Sequence, residues 1–165
     1  DVAKKADLAL RWMERAGITG EPLLALLFLF FALEALLGDK SERLKAHGLA
    51  FRKTMLSHVV DGNFFHPNTT WFLYDRVRSG AVHGEDAPEV DREVVQSFAA
   101  EVRGVLTQYL TVVENQGLVK RSRLLRYLDT HPERPQLIAW FREGGGNLWT
   151  TYLDGIEGDT GATDA

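Results

Sequence analysis

Apolar residues recur along this chain at steps of three and four, and the period-two alternation of a half-buried strand is almost absent. Ala6, Leu8, Leu10, Trp12 and Met13 predict a first helix ending near Gly17. Pro22 is suited to open a second, since its missing N–H costs nothing in a first turn, and Gly38 follows that helix's last apolar residue. The run Leu23–Leu33 is wholly apolar and extends to Leu37 once Glu34 is allowed. A bilayer span needs about 18 apolar residues or more, so this shorter run predicts a buried helix and no membrane segment.

Asp39-Lys40-Ser41-Glu42 has the form of a capping box, which predicts a third helix from there to about Val60, closed by the turn Asp61-Gly62-Asn63. Asn68-Thr69-Thr70 matches a glycosylation sequon but reads better as the start of a fourth helix. That helix carries Trp71, Leu73, Tyr74 and Val77 and ends near Gly80. Asp86 and Pro88 predict the start of the longest helix, in which Val90, Val94, Phe98, Val102, Val105, Tyr109 and Val112 line one face up to Gly117. Two short helices follow, Lys120–Leu128 and Pro135–Arg142, and Leu148, Trp149 and Tyr152 are placed to pack back. The pattern predicts an all-α helical bundle over residues 1–117, a short helical C-terminal extension over 118–153 packing on it, and a disordered acidic tail over 154–165.

Composition narrows the function classes. A length of 165 residues, 45% hydrophobic and 25% charged, suits about one globular domain on the usual prior of 100–200 residues. With no cysteine, disulfides, thiolate metal centres and cysteine nucleophiles are excluded, and a reducing, cytoplasmic setting is the expectation. The net charge of −4 comes from Asp154, Glu157, Asp159 and Asp164, so residues 1–153 are neutral and a strongly basic nucleic-acid coat is excluded. The chain opens at Asp1 without a methionine, which fits a processed chain or an excerpt of a longer one.

No P-loop, GxGxxG or HExxH is present, and His47, His58, His66, His83 and His131 do not fall at metal-ligand spacing, so neither metal nor cofactor is expected. Gly144-Gly145-Gly146 lacks the strand and helix that a phosphate cradle needs and reads as a flexible turn. The segment Leu73–Glu85 differs, because it holds Arg78 and His83 as Arg-x-x-x-x-His. On an unbroken α-helix the two side chains would point about 140° apart. Gly80 is able to end the helix and turn His83 back towards Arg78. An arginine that grips phosphate at two points beside an imidazole that titrates near neutrality suits phosphodiester chemistry. The plainer reading is an exposed arginine followed by a loop histidine.

Arg-Ser-x-x-Val-His-Gly after the Leu73-Tyr74 segment, Phe31–Leu37 on an early helix, and the following Gly38–Glu42 together resemble the HEPN superfamily, particularly its Apea-like members. The likeness covers roughly residues 20–115 in the order the family uses, and the basic extension after Gly117 lies outside it. The resemblance implies a HEPN-type bundle that dimerises and places two Arg/His motifs in one cleft. It implies a metal-independent endoribonuclease in a toxin or antiviral-defence setting, with RNA as substrate and an antitoxin or larger defence protein as partner. Carried over by position, Arg78 and His83 are the catalytic pair, Ser79 the polar residue after the arginine, and Glu34 the acidic position on the early helix. Glu85 stands where one toxin subgroup has a tyrosine, so control by modification of that tyrosine is not expected.

The residues themselves add to this. An ionised Glu34 on an apolar face needs a partner, for which Arg78 or Arg76 would serve, or else an open solvent edge. Tyr74 is either a hydrogen-bonding group of the cleft or a core tyrosine. Lys120, Arg121, Arg123 and Arg126 would track an RNA backbone, or serve only as a solvated basic face. Trp140, Phe141, Trp149 and Tyr152 offer rings for base stacking, although core packing is the default. The competing function is a catalytically inactive helical dimer module that binds RNA, nucleotide or a protein partner.

Overall fold

The computed structural model describes residues 1–63, 67–78, 80–81, 89–144 and 149–160, and every regular element among them is helical. The order is α1 (Val2–Ile18), α2 (Pro22–Leu37), α3 (Lys45–Asp61), α4 (Asn68–Phe72) running into a π-helical turn (Leu73–Arg78), α5 (Arg92–Asn115), α6 (Arg121–Asp129), α7 (Arg134–Gly144) and α8 (Thr150–Thr160). Among the described residues no helix is long and apolar enough to cross a membrane.

Helix α2 is apolar on every side and mostly enclosed, while Leu24 is exposed and Leu27, Phe28 and Phe31 are half-buried. Its Leu26, Leu29, Phe30, Leu33, Leu36 and Leu37 are fully buried. Each such side chain contributes roughly 1.5–3 kcal/mol relative to exposure. The enclosure comes from α1 on one side and from Phe98, Val102 and Val105 of α5 on another, with α3 closing the C-terminal half. Pro22 opens α2 as the sequence implied.

Several boundaries move, for local reasons. Asp39 does not cap a helix; its carboxylate accepts from the backbone N–H and hydroxyl of Ser41, which makes a tight Asx turn. These bonds lower the Asp39 pKa below the usual carboxylate value. The third helix consequently starts at Lys45, because Glu42 is recruited elsewhere. The long helix starts at Arg92, where Asp91 caps it by accepting from the Val94 N–H at 2.9 Å. The expected cap at Asp86 and first-turn Pro88 lie outside the described residues, and Glu89 and Val90 precede the helix without joining it.

Gly38 has φ −70° and ψ 143°, so the end of α2 does not need a left-handed residue. A Cβ there would stand 2.7 Å from the Glu34 carbonyl oxygen, and this close approach is what favours glycine. Gly117 is left-handed, with φ 60°. The Leu118 N–H donates to Val113 O and the Gly117 N–H to Glu114 O, a Schellman closure of α5.

Leu124, Leu128, Leu137, Phe141, Trp149 and Leu153 belong to the same buried cluster as α2, so residues 118–153 complete one core. The Trp149 indole N–H donates to Asn68 Oδ1 at 2.8 Å, which ties the extension to the start of α4. Residues 154–160, expected in a disordered acidic tail, continue helix α8, and 161–165 lie outside the described residues.

Candidate active site

The end of α4 is where the chain departs most from regular geometry. From Leu73 to Arg78 it is π-helical, with i→i+5 bonding that is rare and frequent at functional positions. The wider turn keeps Leu73, Tyr74 and Val77 in the core while Arg78 emerges beside α2. Residues 80 and 81 are still helical, so Gly80 does not end the helix at that point. The 140° separation expected for Arg78 and His83 assumed α-helical turns, and the π turn voids that assumption. Ser79 and His83 lie outside the described residues, as does the side chain of Arg76.

Glu34 and Arg78 meet. Arg78 Nη2 stands 3.2 Å from Glu34 Oε1, with side chains 21% and 31% exposed respectively. The ring of Tyr74 lies under the guanidinium, 5.1 Å from its carbon to the ring centroid. Tyr74 is itself held edge-on by Phe30 at 5.2 Å and is buried. Burial, then the neighbouring Glu34 carboxylate and its hydrogen bond with the phenol, push the Tyr74 hydroxyl well above its ordinary pKa. Tyr74 therefore stays a protonated donor across the physiological range. Arg78 pairs with Glu34, and solvent takes only part of the carboxylate.

The ion pair leaves capacity unused. Among the described residues Glu34 Oε1 and Arg78 Nε are buried without a well-aligned hydrogen bond. Arg78 is thus positioned by charge and by the Tyr74 ring, with its Nε enclosed and without a partner among the described residues.

Glu34 and Tyr74 also line a cavity of about 300 Å³ between α1, α2 and the start of α3. Leu8, Phe31 and Leu49 wall it, and Lys5, Lys40, Lys45 and Arg121 stand around it. Arg121 is partly committed, since its guanidinium donates to the Gly38 carbonyl at the C-terminal end of α2, where a cation suits the helix dipole. Lys120, Arg123 and Arg126 are exposed, whereas Arg121 is half-buried in that contact. Phe141, Trp149 and Tyr152 are buried in the core and are not available for stacking; Trp140 packs edge-on to Phe141.

One cluster escaped the sequence reading. Arg52 of α3 is buried and donates from Nε and Nη2 to both carboxylate oxygens of Asp129 at 3.0 Å, and from Nη1 to Glu42 at 2.8 Å. It joins α3, α6 and the 38–44 loop that borders the cavity. Burial raises the Glu42 pKa in spite of Arg52, and the Tyr152 hydroxyl lies 3.4 Å from the same carboxylate. The available signal was an arginine set among Leu49, Ala50, Phe51, Met55 and Leu56, on a face otherwise destined for the core.

Among the described residues no group of three His, Asp or Glu side chains is placed to hold a metal ion. No protein-family model, curated protein or solved structure matches this chain.

Proposed function

We propose that this chain is a metal-independent endoribonuclease of HEPN type, acting as a homodimer in a toxin or antiviral-defence setting. The observation that supports it is the Glu34–Arg78 pair: an acid on an early helix orients the arginine of the Arg-x-x-x-x-His motif at the end of a π turn.

In this reading the 2′-hydroxyl of the substrate attacks its adjacent phosphorus. Its proton passes to His83 as general base, and the departing 5′-oxygen takes a proton from His83 of the two-fold mate. The products are a 2′,3′-cyclic phosphate and a 5′-hydroxyl, with atoms balanced and no water consumed. Arg78 stabilises the extra negative charge of the five-coordinate transition state, Glu34 holds Arg78 in place, and Ser79 adds a hydrogen bond. Two-fold symmetry doubles a sparse set of groups without new sequence.

The test is cleavage of end-labelled RNA in EDTA by wild type and His83→Ala. Cleavage by wild type alone, leaving cyclic-phosphate ends, is the expected result. Undiminished cleavage by His83→Ala would overturn the assignment. RNA binding without any cleavage would favour the inactive binding module.

A further inference from the structure

A second cavity, of about 370 Å³, lies where the end of α1, the α1–α2 connection, the first turns of α2 and the first half of α5 meet. It shares no lining residue with the Glu34 cavity. Burial separates its parts. Ala25 and Leu29 of α2 are buried and form its base, while Met13 and Ala16 of α1 and Val95 and Ala99 of α5 are half-buried and form its sides. Arg92, Arg103 and Glu21 are exposed and form its rim.

On α5 the lining residues Arg92, Val95, Ala99 and Arg103 fall on one face over three turns, so two cations about 16 Å apart along the axis bracket an apolar stretch. Among the described residues neither guanidinium makes an ion pair, and Glu21, the one carboxylate of the lining, pairs with neither. Of the acids beside Arg92, Asp91 is committed to the Val94 N–H and Glu93 lies about 100° around the helix. The rim therefore carries uncompensated positive charge at both ends of an apolar groove.

Two glycines leave the α1 side open. Gly17 lies within α1 and Gly20 just beyond it; neither has a positive φ, and a Cβ on either would meet nothing within 4 Å. Neither backbone conformation nor packing inside the chain calls for glycine at 17, where it weakens the helix relative to alanine. Ile18 beside it is 80% exposed. An open wall and a bare isoleucine suit a body that closes on them from outside the chain.

We propose that this groove is a docking site for an amphipathic helix of a partner protein, laid along α5 with an acidic residue at each end of its apolar face. Such a helix sets apolar side chains one turn apart into a groove. The missing side chains at 17 and 20 let its backbone approach, and two carboxylates eleven residues apart on one face reach Arg92 and Arg103 together. A small amphiphile with a single head group would engage one arginine and leave the other. No lining residue belongs to the Glu34–Arg78 pair, so the docking site stands whether or not the chain cleaves RNA.

The probe is a fluorescein-labelled, alanine-based helical peptide with Glu at two positions eleven apart and Leu at the fourth and seventh residues after the first Glu. It is titrated with the intact chain by fluorescence polarisation, beside the same peptide with Lys for both Glu. The Glu peptide should bind and the Lys peptide should not. Arg92→Glu with Arg103→Glu, both at exposed positions, should weaken the Glu peptide by about tenfold and admit the Lys peptide. Gly17→Leu, built into open space, should keep the melting temperature and abolish binding of the Glu peptide. No binding of the Glu peptide, equal binding of both peptides, or binding indifferent to the arginine reversal or to Gly17→Leu overturns the proposal. Decanoate competing the peptide away would make the groove an amphiphile site, and sedimentation showing dimers that Gly17→Leu splits would give it to a second copy of this chain; either result overturns the proposal as well.

Discussion

Arg78 Nη2 lies 3.2 Å from Glu34 Oε1, and the Tyr74 ring beneath the guanidinium completes a three-residue arrangement built from α2 and the π turn. Neither charge is fully buried, and neither is free in solvent. The pair falls between a surface ion pair, worth up to about 1 kcal/mol, and a sealed one whose breakage costs about 3–5 kcal/mol. Glu34→Ala should therefore destabilise the fold by about 1–2 kcal/mol in chemical denaturation and lower RNA cleavage further than that loss explains. Cleavage unchanged in a folded Glu34→Ala protein would remove Glu34 from the site.

Arg78 and His83 should fail in different ways. His83→Ala removes a proton-transfer group, about 10²–10⁴-fold in rate, and should leave RNA affinity near wild type. Arg78→Ala should lose rate and affinity together, with a shallower salt dependence of binding. Arg78→Lys should restore little, because an ammonium cannot reproduce the planar fork or its stacking on Tyr74. Filter binding and cleavage on the same three proteins separate these outcomes.

Gly48→Ala sets two effects against each other. Alanine is favoured over glycine inside a helix by about 1 kcal/mol. The new Cβ, however, would stand 1.8 Å from Glu42 Oε1, where the carboxylate is held by Arg52. Displacing that carboxylate strips one partner from a buried guanidinium, so a net loss of about 1–3 kcal/mol is expected. A stabilised Gly48→Ala protein would show that the 38–44 loop yields without cost.

Glu42 provides a pH test with a definite sign. Burial raises its folded pKa above the ordinary value near 4.3. A raised folded pKa gives stability that is present below the unfolded pKa and is lost as pH rises through the folded one. The stability of wild type relative to Glu42→Gln should consequently fall as pH rises from the unfolded Glu42 value through its raised folded value. Denaturant melts of both proteins across that interval measure it, and a difference growing in favour of wild type would mean that Arg52 outweighs burial.

A chain ending at residue 117 should not melt cooperatively. It would lose Asp129 from the buried Arg52 and Phe141 from its stack on Phe51 at 5.4 Å, together with Trp149 and Leu153 from the core. Circular dichroism melts of the shortened and whole chains would decide it, and a sharp transition in the shortened one would make 118–153 an independent appendage.

What the sequence determined by itself was periodicity. A stretch apolar on every side, as in Leu23–Leu33, is stable only where packing covers most of it, and Phe98, Val102, Val105, Tyr109 and Val112 repeat at a spacing only a helix can bury. Glu34 was conspicuous for the same reason, as a charge that interrupts an apolar pattern. Helix ends were less legible, because Asp39 and Asp91 carry the same capping chemistry and only the packed chain selects between them. The choice of Arg78 as the partner of Glu34 and of Asp129 as the partner of Arg52 was decided by tertiary structure alone. Ion pairs between distant segments leave no periodic trace, since the energy that fixes them arises only once packing has removed both charges from water. The π turn was equally hidden: Leu73–Arg78 reads as ordinary helix, and its widening sets Arg78 against α2 while Tyr74 stays in the core.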